Sequence, residues 1–539
     1  MTGREWLRRL WPWGAAATSG FLLALCFPGW DEGWLCWIAL TPLIAALWFS
    51  TNEGRARWLK KAALGFCTGL IFFCTVFFWL TTVTNLMEPH ALGFAAWFGL
   101  MCYLAFYFAL WGWFAGCVVF DARTGSSGLL SSRHNLRLGF LCAAAWVAHE
   151  WLRGTVFSGF GWNGLGVALH KSIALIQVAD ITGVWGLSFL VSLVNIIAVI
   201  TVRRFALEIR NGKLRPHYDF SLTLALVGIV FAYGVHALLK HAPTKPLRVA
   251  AVQANIPQDE KFDDAFEQKI FDRYAGLTDA AVAMRPQLLI WPEVATPRGM
   301  FADQVNHDFI FDTAAKGDFD FLFGTVDSDT AGDYNIAVLL TNRGRDFQAY
   351  RKMHLVPFGE YIPLRHAFPL FAQLAGDLVP GDFRPGTEHT VMQTKNSGVK
   401  IGALICFEDT LGDLTRHFVL NGAQVLVNLT NDGWFLKSHA AEQHLAHAVF
   451  RAAETHRPLI RCANTGVTCF IDASGRVTQS LRSQRGDPFT TGVLFGSVNV
   501  PAENTLTFYT RYGDWFPVAM LFITLASITA HFVKSRARR

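Results

Sequence analysis

Three segments in the C-terminal half each carry a residue type used in acid–base chemistry: Glu293 in LLIWPEVATP, Lys352 in YRKMHLVPFGEYIP and Cys406 in KIGALICFEDT. A carboxylate, an ammonium and a thiol supply a base, an oxyanion clamp and a nucleophile, the parts of a covalent acyl-transfer site. All three lie in a block of ordinary polarity, residues 243–510, with apolar runs on both sides. A site next to a bilayer points to a lipid as one substrate.

Each residue also has a plainer reading. Seven of the ten cysteines, Cys26, Cys36, Cys67, Cys74, Cys102, Cys117 and Cys142, sit in or beside apolar runs and read as small core residues. Cys406 differs because it ends a β-branched run and precedes EDTLGDLTRHFVL, an expected helix whose N-terminus would favour the thiolate. Glu293 follows Trp-Pro, where a structural turn is the bland alternative, and Lys352 stands beside Arg351 and His354, where a solvated lysine is. The three together carry more weight than any one alone. A zinc site on His439, Glu442, His444 and His447 is disfavoured, because HExxH and CxxC are both missing. A dyad of Cys406 with His447 or His456 would leave the Glu and Lys segments without a purpose. The Asn428-Leu-Thr430 sequon falls on an expected buried strand. Cys462 and Cys469 would face each other if Thr465-Gly466 made a two-residue turn, so a disulfide stays open.

The elements that must position these groups fall into two classes. The chain has 539 residues, 52 % of them hydrophobic and 16 % charged, with 46 Phe and 19 Trp, which excludes an ordinary soluble enzyme. The net charge of +6 is no nucleic-acid footprint, because the basic residues cluster between apolar runs. Eight spans are expected near 12–27, 33–49, 63–86, 91–120, 138–152, 183–202, 220–240 and 513–533. Arg4, Arg8 and Arg9, then Arg55, Arg57, Lys60 and Lys61, then Arg123, Arg133 and Arg137, then Arg203, Arg204, Arg210, Lys213 and Arg215 mark alternate connections. The C-terminal Lys534, Arg536, Arg538 and Arg539 extend the series, whereas PGWDEG (28–33) and NLMEPH (85–90) hold no Lys or Arg. The asymmetry expects both termini in the cytoplasm and residues 243–510 outside it. The first span lacks a small-residue cleavage site and reads as a retained helix. The expected domains are 1–242 with seven helices, 243–510 as the catalytic domain, and 511–539 as a last helix with a basic tail.

Inside the block, 247–256, 286–292, 319–326, 335–342, 399–406 and 423–431 are short, apolar and β-branched, and read as buried strands. Helical stretches follow at AFEQKIFDRYAGLTDAAVAM and AAEQHLAHAVFRAAETH. The pattern expects a layered α/β domain, with Glu293, Cys406 and Asn431 at or just past C-terminal strand ends, where open α/β sheets place their sites. His241 to Pro246 reads as a linker. No internal repeat stands out. GFGWNGLG (159–166) lacks a following Lys-Ser/Thr and reads as a lipid-facing turn rather than a phosphate loop.

WPE, then K-x-HLVPFGEYIP, ICFE, NLTNDGWF…QH and RP…RCANTG resemble the carbon–nitrogen hydrolase (nitrilase) superfamily. HLVPFGEYIP and NDGWF, with VQANIPQ opening the block, narrow the resemblance to the apolipoprotein N-acyltransferases, over essentially the whole chain. The resemblance implies an αββα sandwich beside a polytopic helical membrane domain. It also implies Glu293 as general base, Lys352 as oxyanion stabiliser and Cys406 as the thioester-forming nucleophile. Glu360 would support the lysine, and Glu408 falls at another position important in that family. Phe262 stands where the family commonly has Trp, and Phe407 where it has Tyr; each keeps a ring but lacks a polar handle. A membrane phospholipid as donor, a diacylglyceryl-cysteine N-terminus of a prolipoprotein as acceptor, a bacterial inner-membrane location and a monomer are implied too. No cofactor or metal is expected, because a thioester is activated enough for aminolysis without ATP. The alternative is a membrane-tethered amidase acting on a small amide, against which eight spans argue, since a tether needs one.

Overall fold

The computed structural model describes residues 3–50, 57–84, 90–120, 131–240, 242–363, 365 and 381–537. Arg55, Arg123, His241, Arg538, Arg539 and residues 85–89 of the expected connections lie outside the described residues. The chain divides into two compact units, one of Met1–Phe78, Ala95–Leu239 and Asp514–Arg539, the other of Trp79–Phe94 and Lys240–Gly513.

Among the described residues, five helices are long and apolar enough to cross a membrane: Arg57–Val76, His90–Val119, Trp185–Asn211, Tyr218–Leu239 and Trp515–Ala537. The other three expected spans are helical but do not meet that test. Gly3–Leu25 opens on charged residues, Ser132–Thr155 carries Arg133, Arg137, Glu150 and Arg153, and the second is broken into Gly33–Trp37 and a nine-residue helix, Thr41–Phe49. The break is closed by Asn195, which donates Nδ2 to the Cys36 carbonyl (2.8 Å) and accepts from the Leu40 N–H (2.9 Å). Satisfying freed backbone groups from a neighbouring helix is what a low-dielectric surrounding demands. The expected lipid-facing turn is instead folded inward, with residues 162–169 buried. Arg153 donates to the Phe160 and Trp162 carbonyls (3.0 and 2.8 Å), and Glu150 accepts from the Leu165 N–H (2.7 Å). Gly166 is required there, because a Cβ would meet the Val184 carbonyl oxygen at 2.5 Å.

The described residues of the second unit form twelve strands: β1 Thr244–Gln253, β2 Leu288–Ile290, β3 Asp320–Asp329, β4 Gly332–Thr341, β5 Asp346–Arg351, β6 Val391–Gln393, β7 Lys400–Ile405, β8 Val425–Thr430, β9 Leu459–Ala463, β10 Cys469–Ile471, β11 Val477–Ser480 and β12 Gly492–Pro501. They form two six-stranded sheets, ordered β12-β1-β2-β3-β4-β5 and β11-β10-β9-β8-β7-β6. In the first, β1, β2 and β3 run parallel and their flanking strands antiparallel; β7, β8 and β9 repeat the arrangement in the second. The fold therefore repeats itself where the sequence shows no repeat. Ile270, Tyr274 and Ala281 of helix Glu267–Ala283, with Ile310 and Ala314 of Gln304–Ala315, pack on Trp291, Phe321 and Phe323 of the first sheet. Helix Gly412–Leu420 lies so close on the second that a Cβ at Gly402 would meet Phe418 Cβ at 2.8 Å. The sheets face one another where Cys462 Sγ reaches the Val252 and Ile290 carbonyls. The layers are helix, sheet, sheet, helix.

All six expected strands are present, and the sequon strand is buried as expected. The linker is not a linker throughout, since β1 begins at Thr244 and pairs with β12 from Thr244 onward. Cys462 and Cys469 are both free. The hairpin pairs Arg461 with Cys469, one residue out of the register a two-residue turn would impose, so the two thiols lie on opposite faces.

Candidate active site

Cys406 leaves β7 with φ +51°, a left-handed conformation that costs a side-chain-bearing residue energy. Its carbonyl is held by Asn428 Nδ2 at 2.9 Å and His444 Nε2 at 3.2 Å. The helix expected in EDTLGDLTRHFVL is present but begins later than the cysteine. Cys406–Thr410 is a tight 3-10 turn, and the α-helix starts only at Gly412, so no α-helix N-terminus faces the thiol. Burial and then the Glu293 charge push the half-buried thiol above its ordinary range, and Lys352 pulls the other way without winning. The expected thiolate is thus corrected to a thiol biased toward its protonated form.

Glu293 stands just past β2, followed by Val294 at φ +42°, and is almost fully buried. Its Oε1 accepts from Asn335 Nδ2 (2.9 Å) and lies 3.7 Å from Lys352 Nζ. Lys352, just past β5, is 1 % exposed and donates to both oxygens of Glu360 (2.9 and 2.8 Å). Asn335 Nδ2 also donates to Glu360 Oε1 (2.9 Å), and the Val356 N–H holds Glu360 Oε2 (2.8 Å). Burial weakens the lysine's hold on its proton, but Glu360 and Glu293 outweigh it and hold the ammonium above its ordinary range. The fold brings Glu293, Lys352 and Glu360 into one ion cluster, near enough to Cys406 that Glu293 and Lys352 both bias its ionisation.

Glu408 is fully buried. Its Oε1 accepts from Tyr350 Oη (2.8 Å) and the Met353 and His354 N–H groups (2.8 and 3.1 Å), and its Oε2 from the Ile405 N–H (2.8 Å). It fastens the lysine turn to the cysteine turn. Phe407 is buried and stacks on His354 at 5.6 Å, whereas Phe262 is 55 % exposed. Asn431 caps a short turn through the Gly433 N–H and joins Gln258 to Asn464, so it shapes the wall rather than touching the thiol.

A model described as "Apolipoprotein N-acyltransferase N-terminal domain" matches residues 19–197, and one described as "Carbon-nitrogen hydrolase" matches 248–501. A protein from Geobacter metallireducens named apolipoprotein N-acyltransferase is 36 % identical, covering 93 % of this chain and 91 % of its own. Proteins of the same name from Chlorobaculum tepidum and Nitrosomonas europaea are 29 % and 31 % identical, covering 94 % and 95 % of this chain and 93 % and 94 % of theirs. This chain belongs to the apolipoprotein N-acyltransferase family.

Inside the carbon–nitrogen hydrolase region of this family member lie residues that sequence reasoning missed. Asn335, between the two carboxylates, is one. Another group is a fully buried cluster behind Cys406: Arg461 reaches Asp409 Oδ2 (2.6 Å) and Asp432 Oδ2 (2.9 Å), and His444 bridges Asp409 Oδ1 (2.6 Å) and Asp432 Oδ1 (3.0 Å). Burial would make Asp432 a weaker acid, but Arg461 and His444 outweigh it and hold the carboxyl below its ordinary range. His444 is pushed down by burial and by Arg461, yet Asp409 and Asp432 carry it above its ordinary range. Its Nε2 meets the Cys406 backbone carbonyl. His456 caps the end of helix Ala440–Thr455 near Lys240 and Arg457, which removes it from the disfavoured dyad. The signal for the cluster was present in ICFED, NDGWF and QH, but polar residues at strand ends do not reveal their partners.

Proposed function

We propose that this protein transfers a fatty acyl chain from a membrane phospholipid to the α-amine of a diacylglyceryl-cysteine N-terminus, through a thioester on Cys406, at the outer face of a bacterial inner membrane. What carries the reading is a thiol that is neutral at rest beside a carboxylate and a buried ammonium, in a chain matched from end to end by apolipoprotein N-acyltransferases. Glu293 takes the thiol proton as Cys406 Sγ attacks the ester carbonyl, so the thiolate exists only as the bond forms. Lys352 Nζ, pinned by Glu360, meets the oxyanion that develops. Collapse breaks the ester C–O bond, and the lysophospholipid alcohol leaves with the proton from Glu293. The neutral acceptor amine then attacks the thioester, Glu293 receives the amine proton, and Cys406 leaves and is reprotonated.

The basic clusters on alternate connections support placing residues 243–510 outside the cytoplasm, and the five long apolar helices support a multi-pass chain rather than a tethered amidase. The purified protein in detergent, given acyl-labelled phospholipid and a diacylated lipopeptide, should yield a lipopeptide heavier by one acyl chain. Hydrolysis of small amides with no acyl transfer would favour the amidase instead.

A further inference from the structure

Helix Trp185–Asn211 turns back into helix Tyr218–Leu239 through a hairpin that holds two carboxylates, Glu208 and Asp219, both fully buried. Arg204 spans them, with Nε 2.8 Å from Glu208 Oε1 and Nη1 3.0 Å from Asp219 Oδ1. Glu208 Oε2 also meets His217 Nε2 (3.0 Å) and the Arg215 N–H (3.2 Å). Asp219 accepts from Ser132 Oγ (3.1 Å) and from Asn135 Nδ2, which fastens the hairpin to the start of helix Ser132–Thr155. Gly212 ends the first helix at φ +65°, and the Lys213 N–H returns to the Glu208 carbonyl (3.1 Å). The connection is therefore a fixed turn. Buried charges are kept only where partners meet them, and this cluster uses up every carboxylate of the hairpin.

What remains at the surface has one sign. Arg203, Arg210, Lys213 and Arg215 are exposed, as are Arg133 and Arg137 on the helix that Ser132 and Asn135 draw in. Among the described residues none of these six forms an ion pair. Water solvates single cations well, so charge alone decides nothing. The same stretch, however, exposes Phe205, Ile209, Leu214 and Tyr218 among the cations, each more than half accessible. A soluble polyanion would meet the cations and leave these apolar side chains in water. A phospholipid meets both, with its phosphate on the cations and its chains along the apolar side chains. Both helices of the hairpin are long and apolar enough to cross a membrane, which puts such lipids within reach.

We propose that this hairpin, with the adjoining start of helix Ser132–Thr155, is a docking surface for phospholipids of net negative headgroup, held in shape by the buried Arg204–Glu208–Asp219 cluster. It uses no residue of the reaction centre and does not depend on the acyl-transfer reading. The lipid bound here is a partner of the helical unit, not the acyl donor.

The test is lipid retention by the full-length protein in bilayer discs of phosphatidylcholine mixed with phosphatidylglycerol, with bound lipids identified by mass spectrometry. The wild type should retain phosphatidylglycerol in excess of its share, and added salt should shrink that excess. A cation near a membrane surface is worth about fivefold in attraction to an anionic lipid, so Arg210→Gln with Arg215→Gln should lower the preference by at least that factor. Lys534→Gln with Arg536→Gln removes the same charge from the end of helix Trp515–Ala537 and should leave the preference in place. Arg210→Lys with Arg215→Lys should keep it too, and stands in should the neutral pair fail to fold. Equal retention of the two lipids by the wild type overturns the proposal, as does a preference that survives in the neutral hairpin variant or disappears in the lysine variant. A preference lost as fully in the tail variant as in the hairpin variant overturns it as well, since net charge alone would then be responsible.

Discussion

Asn335 offers the sharpest perturbation, because Asn335→Asp is nearly isosteric and reverses the electrostatics at one atom. In the native site Nδ2 donates to Glu293 Oε1 and Glu360 Oε1, each at 2.9 Å. The aspartate would set a carboxylate oxygen against both. At that separation and an effective dielectric near 20, each like-charge contact costs about 6 kcal/mol, more than the site can bear unrelaxed. The cluster escapes by taking up a proton, and a carboxylate crowded by a like charge rises by about one to three pKa units. Two hydrogen bonds to charged groups, about 1.5 to 3 kcal/mol each, vanish as well. Single-turnover labelling by acyl-labelled phospholipid should fall at least a hundredfold at pH 7 and recover in part at higher pH. Asn335→Asp that labels at the wild-type rate would refute the shared-amide reasoning.

Other expectations follow from the same geometry. Alkylation of Cys406 should speed up about tenfold per pH unit near neutrality, as for a thiol below its pKa, and should outrun that of the fully buried Cys462 and Cys469; a pH-independent rate would mean a resting thiolate. Arg461→Met removes the guanidinium that pairs with Asp409 and Asp432 and leaves His444 to serve both buried carboxylates, a loss of about 3 to 5 kcal/mol in denaturant unfolding, and an unchanged midpoint would contradict the pairing. The depressed Asp432 contributes stability that is present above the ordinary carboxyl value of 3.8 and lost as pH falls through its folded value. The raised His444 contributes stability present below 6.5 and lost as pH rises through its folded value, so the wild-type melting temperature should crest between those limits and Arg461→Met should flatten its acidic side, where Arg461 holds Asp432 down. Gly324→Ala would place a Cβ 2.7 Å from Glu293 Cα, so labelling should fall severely while Cys406 remains alkylatable; normal labelling would mean that the Glu293 turn tolerates displacement.

What the sequence made legible has a physical reason. Glu293 and Cys406 stand at the ends of apolar, β-branched runs, and a parallel strand buried on both faces must be such a run, so its end is visible. Lys352 was legible only through its motif, because β5 (DFQAYR) is polar and half-exposed and does not announce a strand. The edge strands β6 and β11 are three and four residues long, and polar or partly exposed, which hides them as well. Asn335 was invisible as a site residue because it sits near the start of β4, and only the antiparallel reversal from β3 returns that end to Glu293. The thiol was misjudged for a similar reason: EDTLGDLTRHFVL has helical composition throughout, but the Glu408 side chain caps the Ile405 N–H and winds the first residues into a tight turn. Of the eight expected spans, five coincide with helices that are, among the described residues, long and apolar enough to cross a membrane, while charge at helix ends and a broken second segment set the other three apart.

The central claim is that Cys406 carries the acyl group, and covalent labelling tests it most directly. The full-length protein, incubated with phospholipid labelled in the acyl chain and no acceptor, should become labelled, and neutral hydroxylamine should release the label as it does from a thioester. Cys406→Ala should abolish labelling, and Glu293→Gln should lower it by about two to four orders of magnitude, the usual worth of a general base. Label that persists in Cys406→Ala, or that survives hydroxylamine, would contradict the account.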